Sequence, residues 1–170
     1  YEITTRLVGS EMCIRDSVIL AVVSALGAWN SIKYFRKSKN LTIFAQTNKA
    51  LVEVQKMLIK LPEALSASNS SRRGKKGLSL HNTLCDIGKE LNANLTEINS
   101  NIPTEYSDAI RQLQNKDGFI LQAYINSYIS GDAVQNNGID SDDFNVCQVR
   151  LLEIQDYLKK AALETEEKLK

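Results

Sequence analysis

The clearest alternation of apolar and polar positions lies near the C-terminal end of the chain. Phe144, Cys147, Leu151, Ile154, Leu158, Ala161 and Thr165 are separated by steps of three and four, which places them on one stripe of an α-helix. Asp140 or Ser141 can cap its start. Asp142 and Asp143 suit the positive end of its dipole, and Lys168 and Lys170 the negative end. A second seam repeats every seven residues through Phe44, Leu51, Leu58 and Leu65, with Thr47, Val54 and Leu61 between them. It predicts a helix over 41–65 that stops or kinks at Pro62, which has no amide hydrogen to donate. Leu84, Ile87, Leu91, Leu95, Ile98 and Ile102 predict another helix from about 79 to 99. Beyond Pro103, in the first turn of the next helix, Tyr106, Ile110 and Leu113 form a stripe interrupted at Asp117-Gly118. The run 119–129 is rich in β-compatible residues, but Ile120, Tyr124 and Tyr128 keep a helical step, so a kinked or divided helix ending near Ser130-Gly131 is expected. Asn136-Asn137-Gly138 marks a loop.

These elements predict an all-α protein, an antiparallel helical bundle with coiled-coil-like segments and no sheet. The body spans 79–168, with breaks near 100–103, 117–118 and 131–139. Residues 66–78 contain two glycines and the basic run Arg72, Arg73, Lys75, Lys76, the composition of a flexible loop.

The uncharged run from Ser17 to Ile32 reads differently. As a helix it rises about 24 Å, short of a bilayer core of about 30 Å. Leu7 to Ser17 resembles the translation of a sequencing-adapter fragment, so 1–17 are expected to be non-native and 18–32 to be a truncated transmembrane anchor. Trp29, Tyr34 and Phe35 fit an interfacial belt. The basic flank 33–40, with Lys33, Arg36, Lys37 and Lys39 and no acidic residue, fits retention on the cytoplasmic side and contact with anionic lipid. A buried or interfacial helix and a signal peptide are the alternatives, but the charges of a signal peptide precede its apolar run and here they follow.

Composition narrows the classes. The chain has 170 residues, 21 Lys+Arg and 20 Asp+Glu, a near balance that argues against a wholly basic nucleic-acid binder. Setting aside 1–17 removes two basic and three acidic residues and leaves the balance slightly more positive. Three cysteines without a C-x-x-C pair exclude a disulfide scaffold or cysteine-rich zinc module.

Candidate chemistry is sparse. His81 and Cys85 lie one helical turn apart, but two ligands do not make a zinc site. The basic loop lacks the pattern of a phosphate-binding loop and has no interleaved aromatic residue on which a base could stack. Asp140, Asp142 and Asp143 lack the rest of a calcium loop, and Arg150, Glu153, Glu90 and Glu97 read as solvated charges. No catalytic residue, metal or cofactor is expected, and an enzyme is disfavoured.

The sequence therefore predicts a membrane-tethered helical interaction or structural protein, single-pass, with a cytoplasmic C-terminal body. Its expected partners are membrane lipid and either a protein or a second copy, with nucleic acid disfavoured. The helix-packing seam would be Phe44, Leu51, Leu58, Phe144, Leu151, Ile154 and Leu158. The alternative is a soluble helical binding module that meets an anionic partner through Arg72, Arg73, Lys75 and Lys76.

Overall fold

A computed structural model describes the backbone of residues 2–72, 78–130 and 141–170 and the side chains of 20–68, 82–130 and 142–170. The described residues form a five-helix, all-α protein. Its helices are α1 (Glu2–Arg72), α2 (Leu78–Asn101), α3 (Thr104–Gln114), α4 (Leu121–Ser130) and α5 (Ser141–Glu167), with a 3-10 turn at Lys116–Gly118. The chain divides into two compact units, Tyr1–Leu41 and Thr42–Lys170.

The larger unit closes around one core. Ala50, Val54, Met57, Leu61 and Ala64 of α1 meet Leu84, Leu91, Leu95 and Ile98 of α2, Ile110 of α3, Leu121, Tyr124, Ile125 and Tyr128 of α4, and Cys147, Leu151, Ile154 and Leu158 of α5. Burial of these stripes, more than helix propensity, holds the helices in place. Neighbours run antiparallel. Lys49 pairs with Glu97 at 3.5 Å and Lys60 with Glu90 at 3.1 Å, fastening α1 along α2. Hydrogen bonding to Glu63 and Glu90 raises the pKa of the Lys60 ammonium. Gln122 of α4 donates to the side-chain carbonyl of Asn92 at 2.7 Å. Gly88, one turn before Asn92, lies against Ile129, two turns after Gln122.

The third helical stretch is divided, and the division has a local cause. Asn115 ends α3. Asp117 and Gly118 then adopt φ of 57° and 78°, a left-handed conformation that breaks the helical ladder. Before the break α3 packs on α5, and beyond it α4 packs on α2 and also on α5. Tyr106 of α3 is held at the far end of α5 by the Thr165 hydroxyl at 3.4 Å and by an edge-on contact with the Tyr157 ring.

Helix α1 extends further than its sequence suggests. It passes through Pro62 and continues to Arg72, so residues 66–72 of the expected loop are helical. A proline inside a helix forfeits one ladder bond and costs about 3 kcal/mol. Here Pro62 faces outward, while Leu61, Ala64 and Ser68 beside it are buried, and their packing offsets the loss.

The seam of α1 keeps Thr47, Val54 and Leu61 at its centre as the spacing predicts, but the heptad series through Phe44 lies to one side of it. Its centre runs through Ile43, Thr47, Ala50, Val54, Met57, Leu61, Ala64 and Ser68. Phe44, Leu51, Leu58 and Leu65 are half-buried along its edge. Small residues at the centre let helices approach closely, and the larger side chains then close the sides. On α5, Leu151, Ile154 and Leu158 are fully buried and Phe144 is half-buried. Polar members of the seams satisfy themselves locally: the Thr47 hydroxyl donates to the Ile43 carbonyl at 2.8 Å, and that of Thr165 to Ala161 at 2.7 Å.

The expected membrane anchor is overturned. Among the described residues no helix is long and apolar enough to cross a membrane. The uncharged run ends at Lys33, and α1 carries on through that charge and the three further cations up to Lys39. Its rise of about 24 Å does not match the hydrocarbon thickness. The transmembrane helix, the single-pass location with a cytoplasmic body, and the membrane-lipid partner are all without support.

Candidate functional site

In the smaller unit, every described residue from Leu20 to Lys39 on α1 is exposed. Eight large apolar side chains lie within this stretch: Leu20, Val22, Val23, Leu26, Trp29, Ile32, Tyr34 and Phe35. Trp29 is 72% exposed and Leu26 60%. Single exposed apolar residues are ordinary on a protein surface, and Ile59 and Leu163 of the larger unit are examples. A continuous run of this density is a different matter, because patches of this kind mark interaction surfaces.

The helical register sorts the run. Val22, Leu26, Trp29, Lys33 and Arg36 follow steps of four, three, four and three, so they share one stripe of α1. The stripe is apolar in its first half and cationic in its second. Lys37 sits beside it, and Lys39 is exposed on the same helix. Gly27 has open space where a Cβ would point, with nothing within 4 Å of that position among the described residues.

The second cluster of polar atoms is a junction between the 3-10 turn and α5. Arg150 donates through one terminal nitrogen to the Asp117 carboxylate at 2.6 Å and through the other to Glu153 at 2.8 Å. Lys116 reaches Glu153 at 3.4 Å. The Arg150 side chain is 9% exposed, in contrast to the solvated charge expected from sequence. Its flat fork and long stem let it lie along the core while its charge is met at both ends. Hydrogen bonding to Arg150 lowers the pKa of the Glu153 carboxyl below the ordinary carboxylate range. This arrangement fastens the left-handed turn to α5.

A third cluster lies inside the core. The hydroxyls of Tyr124 and Tyr128 are 3.0 Å apart and their rings meet edge-on. Burial raises the pKa of Tyr124 and pushes that of Tyr128 up to about 12, and it pushes the Cys147 thiol up to about 12 as well. At neutral pH the three groups are uncharged. Cys147 is thus a core thiol, not a ready nucleophile.

The sequence-derived candidates fall into three groups. Lys33, Arg36, Lys37 and Lys39 are exposed on α1. Arg73, Lys75 and Lys76 lie outside the described residues, and Arg72 ends α1 with its side chain outside them, as is that of His81. The packing positions Phe44, Leu51, Leu58, Phe144, Leu151, Ile154 and Leu158 belong to the bundle core or its edge. Among the described residues no three His, Cys, Asp or Glu side chains converge as a metal site requires. The stripe of Val22 and Leu26 was hidden in sequence because the whole run is apolar, and only its exposure singles it out.

No family model, curated protein or solved structure matches this chain.

Proposed function

We propose that the chain is a helical protein-interaction module whose bundle, Thr42–Lys170, is a self-contained scaffold and whose association surface is the exposed stretch of α1 from Leu20 to Phe35. The observation that carries this reading is the contrast in apolar exposure. The bundle turns most of its large apolar side chains into one core and leaves six scattered ones, Ile59 and Leu163 among them, exposed, whereas the eight between Leu20 and Phe35 all face outward in one continuous run. Covering such a stripe removes apolar surface from water, at about 25 cal/mol per Å² of area buried. An aromatic such as Trp29 among smaller apolar groups is the usual composition of an interface hot spot.

Site-specific photo-crosslinking tests the proposal. A photoreactive phenylalanine analogue is placed at Trp29 and, in a second chain, at Lys159, an exposed position on α5. Protein adducts formed at position 29 and absent at 159 are the expected result. Equal labelling at both, or none at 29, would remove α1 as the association surface.

A further inference from the structure

We propose that the stripe Val22–Leu26–Trp29–Lys33–Arg36 docks an amphipathic helix of another protein, one that carries acidic residues one to two turns beyond its own apolar stripe. This rests on the reading of α1 as an association surface and specifies the chemistry of the partner.

The argument begins with the order of side chains along the stripe. Val22, Leu26 and Trp29 present an apolar strip two turns long, and Lys33 and Arg36 continue it with positive charge. All five are exposed. A helix laid along this stripe at the usual interaxial distance of about 8–10 Å meets apolar groups first and cations next. The step from Trp29 to Lys33 is one turn, about 6 Å along the axis, and that to Arg36 about 10 Å. Carboxylates at the same offsets on the partner would sit opposite them.

Charge complementarity decides the occupant. From Lys33 to Lys39 there are four cations and no acidic residue. A second copy packed in parallel register would face Lys33 and Arg36 with the same residues, and like charges on facing positions are destabilising. A wholly apolar helix would cover Trp29 but leave the cationic half of the stripe with no counterpart. An acidic amphipathic helix covers the first half and pairs with the second. Arginine adds a planar fork that a carboxylate can grip with two hydrogen bonds.

Trp29 provides the readout, because it is the single tryptophan of the chain. The full chain is titrated with a synthetic amphipathic peptide bearing leucines at steps of three and four and glutamates over the last two turns. Matched peptides carry glutamine or lysine in place of glutamate. The expected result is a saturable blue shift of Trp29 emission with the glutamate peptide, weakened about ten-fold or more with the lysine peptide. The variant Lys33→Glu/Arg36→Glu should reverse this preference and bind the lysine peptide better. Circular dichroism of the variant should match that of the parent chain, since both positions are exposed.

Equal binding of all three peptides would overturn the acidic partner while leaving α1 as an association surface. So would a blue shift that depends on protein concentration alone, which identifies a second copy. A shift with phosphatidylserine vesicles and none with any peptide, or no shift at all, would overturn both readings.

Discussion

Two stretches of α1 carry the same three-and-four spacing and meet opposite surroundings. Between Ile43 and Ser68 the stripe is buried along its whole length. Between Val22 and Arg36 every member is exposed. Spacing therefore identifies which side chains share a face, but it does not tell whether that face is covered. Side-chain size and charge carry more of that information. The buried stripe places Ala50 and Ala64 among larger groups, which lets a neighbouring helix approach, and holds its one early polar member by a hydroxyl-to-carbonyl bond. The exposed stripe places Trp29 next to two cations, which no apolar core accepts without partners.

The sharpest test of this contrast is to truncate one leucine in each region. Leu151 is fully buried in the core, and Leu151→Ala should destabilise the bundle by about 2–5 kcal/mol through lost transfer energy and the cavity left behind. Leu26→Ala should change stability by no more than about 0.5 kcal/mol, as for surface substitutions generally. Urea unfolding followed by circular dichroism measures both. Similar losses from the two would mean that the Leu20–Lys39 stretch is covered in solution.

Arg150→Met comes next. The replacement keeps an apolar stem against the core but removes the ties to Asp117 and Glu153. A loss of about 1–2 kcal/mol is expected, smaller than for a fully buried pair because both carboxylates reach solvent and can be hydrated. Its pH dependence has a definite sign. Glu153 titrates below its ordinary range in the folded chain, so it contributes stability above its unfolded pKa and loses that contribution as pH falls through the folded value. The acid limb of the stability profile should be shallower in Arg150→Met, and an unchanged limb would show that Glu153 is held by something else.

How much of this was legible in the sequence depends on how far away the cause lies. The α5 stripe could be read because its spacing, its caps and its apolar members all point the same way. On α1 the spacing placed Thr47, Val54 and Leu61 correctly at the centre, but the large Phe44 and Leu51 drew the rest of the seam one position away from Ile43, Ala50 and Met57, which are the residues buried there. Size was a poor guide where close approach was needed. Arg150 looked like a surface charge because its partner Asp117 is remote in sequence and only the left-handed turn brings it near. The apolar run before Lys33 resembled a membrane anchor because hydropathy registers dislike of water without saying what replaces it. Its exposure was not deducible from periodicity, and neither was the division of its stripe into apolar and cationic halves as a surface.

Alkali probes the closed region through its tyrosines. The core pair titrates above the ordinary phenol range because burial opposes the phenolate, and Tyr128 reaches about 12. A raised folded pKa means that stability is complete below the unfolded value of 10.0 and declines as pH rises through the folded value. Tyrosinate absorbance at 295 nm should therefore gain its last component only together with loss of helicity between those limits. Tyr128→Phe breaks the hydroxyl pair, leaves the Tyr124 hydroxyl without that partner, and should cost about 1 kcal/mol. Full phenolate absorbance before any helix loss would show that the pair is open to water.

The glycines offer the smallest effect and the finest discrimination, because the same substitution has opposite signs in the two regions. Alanine is favoured over glycine inside a helix by about 0.5–1 kcal/mol, chiefly through the freedom that glycine loses on folding. At Gly27 no atom lies within 4 Å of where the new Cβ would go, so Gly27→Ala should realise that gain as added helicity in the Leu20–Lys39 stretch. At Gly88 the same Cβ would stand 2.8 Å from Ile129 Cγ1, 3.0 Å from Tyr128 Cβ and 3.1 Å from the Ile129 backbone nitrogen. Two of those atoms lie on or next to the α4 backbone and cannot swing aside, so α2 and α4 would have to separate. Overpacking of this kind costs about 1–3 kcal/mol. Set against the propensity gain, Gly88→Ala should lower the stability of the bundle by about 1 kcal/mol. Thermal melts of the two variants beside the parent chain would show the difference in sign. A gain at both positions would mean that α2 and α4 are looser than their contact implies, and a loss at Gly27 would reveal a covering group against the open side of α1.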